Sequence, residues 1–176
     1  MLFEELFGRG IMLVDPERQV GILNRELFAN GIERQRRELK QFAWLAGSWD
    51  AINSVRATSV SPAYTDTYPY TFQISEDGTS IDGVRGPKTA KFITFEPLSA
   101  RWIMVLPQAA GTYGYLQSDG WNGDEIEFTG RVLMLGVDWE VRAKWLKRSD
   151  DEFYVENREL RNGEWVIDDE FVYRRK

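Results

Sequence analysis

The sequence predicts a mainly β protein: an antiparallel up-and-down β-barrel of about ten strands with an N-terminal helix. Three observations carry that prediction. After Gly47 the spacing of apolar residues changes from a period near 3.6 to a period of 2, which it keeps to the C-terminus. The connectors are short and carry turn chemistry, as in Glu76-Asp77-Gly78, Asn122-Gly123-Asp124, Ser149-Asp150-Asp151 and Asn162-Gly163, with no helix between strands. A sheet of that length with one apolar face has to curl or split, because open edges and a bare apolar face invite aggregation. Closure into a barrel removes both problems. A β-sandwich fits the same pattern, but hairpin after hairpin without a long crossover favours up-and-down connectivity.

Taken in order, residues 1–14 form an apolar arm: Leu2, Phe3, Leu6, Phe7, Ile11, Met12, Leu13 and Val14, interrupted by Gly8 and Gly10. Asp15-Pro16 is a helix start, with Asp15 at the cap and Pro16 at the first helical position, where its missing N–H is harmless. Val20, Leu23, Leu27, Phe28, Ile32, Leu39 and Phe42 then recur at helical spacing to about Ala46, and Asn30-Gly31 is a place where the helix could split. Residues 1–46 are thus read as an arm and helical segment, and 47–176 as the barrel. Strands are expected near 48–58, 68–75, 79–84, 90–96, 101–107, 112–118, 125–135, 139–145, 152–160 and 164–174. The clearest is Trp139-Glu140-Val141-Arg142-Ala143-Lys144-Trp145, in which apolar and charged residues alternate strictly.

Composition narrows the chemistry. The 176 residues are 43% hydrophobic and 28% charged, the balance of a globular domain. Cysteine is absent, which removes disulfides, thiolate catalysis and Cys-ligated metals. Histidine is also absent, which removes the commonest general base, imidazole metal sites and any Ser-His-Asp triad. Twenty-eight acidic residues against 22 basic ones give a net charge of −6, which repels nucleic acid unless the bases cluster. The cluster Arg34-Arg36-Arg37-Lys40 is interleaved with Glu33 and Glu38 at helical spacing and reads as a solvated helix face. No run approaches the roughly 20 apolar residues of a membrane span. Acids at Glu4 and Glu5 stand where a signal peptide carries bases, so a cytoplasmic protein is expected. The arm at 1–14 is too apolar to be left in water, and a homodimer formed through it is the expected arrangement.

Several segments together resemble a known family. Leu45-Ala-Gly47-Ser-Trp49 lies at the junction of helix and first strand, and Ser118-Asp-Gly-Trp-Asn-Gly-Asp-Glu-Ile-Glu-Phe-Thr-Gly130 spans a hairpin in mid-barrel. Asp151-Glu-Phe153 precedes an alternating strand containing Glu156, and the chain ends in Tyr173-Arg-Arg-Lys176. Over about residues 40–176 the chain resembles the bacterial lipocalin-like, or calycin, barrels of domain of unknown function 1579. Ala51 and Asn53 depart from the fuller pattern, where a second glycine often falls. The resemblance implies a cupped barrel and a small lipophilic ligand, and it brings no catalytic residues. Haem held as in related haem-binding calycins would need a histidine, so no cofactor is expected.

Alternation sorts the strand positions by side. The inward phase is rich in aromatic residues, and the expected ligand contacts are Phe72, Trp102, Met104, Tyr113, Tyr115 and Trp139, with Asn157 and Asp169 as polar members of the same face. The alternative for each aromatic is plain core. Asn53, Asn157, Glu159 and Asp169 are the polar residues on the dry phase, and a buried carboxylate must pair, protonate or face a wet cavity. Counting outward from Asn162-Gly163 pairs Arg161 with Glu164, Glu159 with Val166 and Asn157 with Asp168. Glu159 is expected to face solvent, while the face of Asp169 stays open. A strand bulge would change either assignment. Asp119, Asn122 and Asp124 miss the spacing of a Ca²⁺ loop and read as a turn, so no metal is expected. Three functions remain. The first is binding of a small hydrophobic or aromatic molecule. The second is an isomerase or cyclase that uses Asp169 or Glu159 with Tyr113 and Tyr115. The third is a non-catalytic assembly role.

Overall fold

A computed structural model describes residues 25–57, 62–107, 113–134 and 136–176. The apolar arm at 1–14 and the expected helix start at Asp15-Pro16 lie outside the described residues.

Helix α1 (Arg25–Leu39) runs straight into a 3-10 helix (Lys40–Leu45). It does not split at Asn30-Gly31. A side chain at Gly31 would stand 3.2 Å from the Pro97 ring, so the glycine lets the helix lie close on the barrel. Arg36, Arg37 and Lys40 of the basic cluster are exposed, as their spacing implies, and Arg34 is half-buried. Arg34 donates to the Pro97 carbonyl (2.7 Å) and stacks on Phe95, while Arg36 donates to the Asp77 carbonyl (2.8 Å) and pairs with Glu33. These contacts dock the helix against the outside of the barrel.

Eleven strands follow: β1 (Gly47–Val55), β2 (Tyr64–Ile74), β3 (Ser80–Arg85), β4 (Lys88–Glu96), β5 (Arg101–Pro107), β6 (Tyr113–Ser118), β7 (Trp121–Asn122), β8 (Glu125–Met134), β9 (Val137–Lys147), β10 (Glu152–Arg161) and β11 (Glu164–Arg175). They form one antiparallel sheet in which sequence neighbours pair except β6 and β7, β1 pairs with β11, and β6 pairs with β8. The last pairing closes a ten-strand barrel and leaves the two-residue β7 as an appendage on β8. A sandwich is thereby excluded. The Asn162-Gly163 turn has positive φ at both positions (52° and 84°), as a two-residue hairpin of this twist requires.

One end of the barrel is solid. Phe42 and Leu45 of the 3-10 helix are fully buried in it, with the Phe42 ring 4.7 Å from Trp102 and 5.0 Å from Trp121. Trp49 donates to the Leu45 carbonyl (2.8 Å), and the Arg175 guanidinium lies 4.3 Å from the Trp49 ring. Arg175 also donates to the carbonyls of Ala46, Trp44 and Asp150, tying the last strand to the helix–strand junction. Trp145, Phe153 and Tyr173 stack above this floor. Among the described residues no helix is long and apolar enough to cross a membrane.

Candidate functional site

Above the aromatic floor the interior is hollow. A chamber of about 260 Å³ is bounded by β4–β6 and β8–β11, and its apolar wall includes Met104, Leu106, Leu116, Val132, Trp139 and Phe171. A second chamber of about 670 Å³ lies towards β1–β3, lined by Asn53, Tyr68, Tyr70, Arg85 and Tyr173 among others. Lys91, Asp169 and Phe171 border both. The two volumes fall near and within the range of small-molecule sites.

The polar residues at this junction come from opposite walls. On β4, Lys91 shares its face with the buried Ile93 and Phe95, so the pleat turns it inward. Its ammonium reaches across the barrel to lie 4.8 Å from the Trp145 ring centre, 5.6 Å from Phe171 and 5.8 Å from Tyr173. It makes no hydrogen bond or salt bridge with any described residue. Burial therefore pushes its pKa down to about 8, opposed by the nearby Asp169 charge. Asp169 accepts a 2.6 Å hydrogen bond from Asn157 Nδ2. Burial raises its pKa to about 6 against the lowering by Asn157, Lys91 and Asn53, while the neighbouring Asp168 raises it further.

A bulge builds this pair. From the turn, Arg161 pairs with Glu164 and Glu159 with Val166, as the count predicts. Arg158 then pairs with Ile167, but Asn157 pairs with Asp169, leaving Asp168 as the extra residue. The extra residue brings the Asp169 carboxylate beside Asn157 on the inner face. Glu159 is also inside, at 9% exposure, where it contradicts the expectation of a solvent-facing side chain. Arg161 makes its burial tolerable by pairing with it at 2.7 Å.

Three further polar atoms on the larger chamber are buried without a partner: Asn53 Oδ1, Tyr70 OH and Tyr173 OH. Burial holds the Tyr70 and Tyr173 phenols well above their ordinary pKa, and that of Tyr68 is pushed up to about 12. A buried polar atom of this kind can take a partner from an ordered water or from a bound molecule.

Of the residues the sequence singles out, Met104, Trp139, Asn157 and Asp169 border the smaller chamber. Phe72 and Trp102 are packed solid in the floor cluster. Tyr113 and Tyr115 are on the outer surface, at 51% and 41% exposure, a correction with a clear cause. Leu106 pairs with Gly114 and Met104 with Leu116, so the inward face of β5 forces Gly114 and Leu116 inward and the tyrosines out. A side chain at Gly114 would meet Leu106 and Val132 at 3.0 Å, which leaves no room for a ring. The proposed catalytic grouping of Tyr113 and Tyr115 with Asp169 or Glu159 is therefore not assembled. Lys91 was not among the sequence candidates, although its phase with Ile93 and Phe95 carries the signal. Among the described residues no three acidic side chains gather as a metal would need.

No family model matches the chain, and no curated protein matches it. Among solved structures, the crystal structure of Rv2717c from M. tuberculosis resembles it with a TM-score of 0.53 and 13% identity, covering 79% of this chain and 97% of that one. The likeness is one of fold.

Proposed function

We propose that the protein binds a small molecule inside the barrel, one with an apolar or aromatic body and a polar end. The apolar body fits the wall formed by Met104, Leu106, Leu116, Val132 and Trp139. The polar end fits the junction, where Lys91, Asp169 and the unpartnered Asn53 and tyrosine atoms converge. That convergence of polar groups, several of them unpartnered, beside an apolar wall in an unfilled interior is the observation that carries the reading, because a barrel that only had to fold would fill the space with apolar side chains. The lipocalin-like family suggested by the sequence is consistent with such a role and adds the expectation of a lipophilic ligand.

The test follows the protein's tryptophan fluorescence while aromatic acids, aldehydes, alcohols and medium-chain lipids are titrated into the full chain. Native mass spectrometry of the purified protein runs alongside. Saturable quenching by at least one class, or a co-purified mass, supports the reading. Flat traces across every class with no added mass overturn it.

A further inference from the structure

We propose that Lys91 captures its ligand covalently, its amine condensing with the carbonyl group of an aldehyde or ketone seated in the barrel. This rests on the cavity being a binding site and names the chemical class that the site takes.

The geometry sets Lys91 apart. Lys144, Lys147 and Lys176 each pair with a surface carboxylate (Glu125, Asp150 and Asp50), and Lys40 and Lys88 are exposed to solvent, Lys88 at the rim of the larger chamber. Lys91 instead projects between two chambers, with aromatic rings on the far wall and no hydrogen-bond partner. A lysine serving only to neutralise Asp169 would make a direct ion pair with it, and none is present. Burial away from water favours the free amine, which is the nucleophile, although the ring faces beside it attract the ammonium form. Asp169 is the inner-face carboxylate opposite it, fixed by Asn157, and its raised pKa suits proton exchange near neutrality.

The steps balance without an oxidant or reductant. The Nζ lone pair adds to the carbonyl carbon, and a proton passes from nitrogen to the former carbonyl oxygen, giving a carbinolamine. Protonated Asp169 donates to the departing hydroxyl, which leaves as water while the carbon–nitrogen double bond forms. Addition of water reverses the sequence, so the ligand is held reversibly.

The experiment incubates the full chain with trans-cinnamaldehyde and sodium cyanoborohydride, then maps modified lysines by mass spectrometry. Cinnamyl alcohol binding is followed in parallel by tryptophan fluorescence. A single adduct at Lys91, with a mass gain of the probe less one oxygen atom, is expected. Lys91→Arg should lose it, and Asp169→Asn should slow its formation by about 100-fold or more. Thermal melts of both variants exclude unfolding as the cause, and the mapping on the unaltered chain needs no variant. Labelling spread over surface lysines overturns the inference. Alcohol binding without an adduct overturns covalent capture but leaves the binding reading intact, whereas absence of both removes the two together.

Discussion

Lys91 and Asp169 place two charges where a barrel selected only for stability would have none, and the linkage has a definite sign. The Lys91 pKa is lowered from 10.5 to about 8, so its folded-state penalty is whole below pH 8 and is relieved as the pH rises towards 10.5. The Asp169 pKa is raised from 3.8 to about 6, so its penalty is absent below 3.8 and complete above 6. Between pH 6 and 8 both apply. Tyr68, Tyr70 and Tyr173 stay protonated through that window, so they do not disturb it. Each shift is worth roughly 3 kcal/mol, a figure that already contains the attraction between the two charges. Lys91→Met should therefore stabilise the fold at pH 7 by roughly 1–2 kcal/mol and flatten the rise between pH 8 and 10.5. Urea unfolding at pH 5, 7 and 9.5 measures this, and a variant less stable than the parent at pH 7 contradicts it. The lysine was legible as inward-facing from its place two residues before Ile93. The contact between Asn157 and Asp169 was not, since it depends on a bulge that no local residue pattern in Ile167-Asp168-Asp169 announces.

At the level of elements, the closing seam between β6 and β8 is the part most sensitive to change. Gly130 faces Leu116 across it, and a Cβ there would stand 2.1 Å from the Tyr115 carbonyl oxygen and 2.7 Å from Leu116 Cα. Backbone cannot step aside as a flexible side chain can. Gly130→Ala should cost about 3 kcal/mol or more by forcing the strands apart, visible as a lowered urea midpoint and as exposed apolar surface that binds a reporter dye. A midpoint within experimental error of the parent would show the seam to be loose. The same seam explains how alternation misled. Strand positions were legible to within a few residues, and the Asn162-Gly163 hairpin was legible in register. An aromatic-inward rule nevertheless put Tyr113 and Tyr115 inside, because the requirement for small inner residues where strands close is set by the partner strand and not by the sequence of β6. The basic cluster was legible as an exposed helix face, with Arg36 paired to Glu33 and Arg37 to Glu38, whereas the bonds of Arg34 and Arg36 to the Pro97 and Asp77 carbonyls were not.

For the molecule as a whole, the interior is divided into a floor built for stability and a hollow end built for something else. The floor joins the 3-10 helix to the sheet through fully buried Phe42, Leu45, Trp49 and Trp145, with Arg175 locking the last strand to the first. Towards the other end of β8 and β9 the contacts thin, and Leu133, Met134 and Val137 are exposed. Local opening should follow that gradient, since segments with fewer buried apolar contacts open at lower free energy. Amide exchange is thus expected to be slowest at Trp49–Ala51 and Phe153–Val155, which exchange only through global unfolding, and faster at Val132–Met134 and Val137–Trp139. A ligand in the chambers touches walls from β4, β5, β6, β8, β9, β10 and β11 at once, so its binding has to be felt across strands remote in sequence. At 100 times its dissociation constant it should add about 2.7 kcal/mol to global stability. It should also slow exchange at the Val132–Met134 and Val137–Trp139 amides by more than this global gain explains, because it supplies there the contacts that the barrel lacks. Equal slowing at floor and mouth would mean that the ligand binds elsewhere on the folded protein, and the hollow would then have to be explained without it.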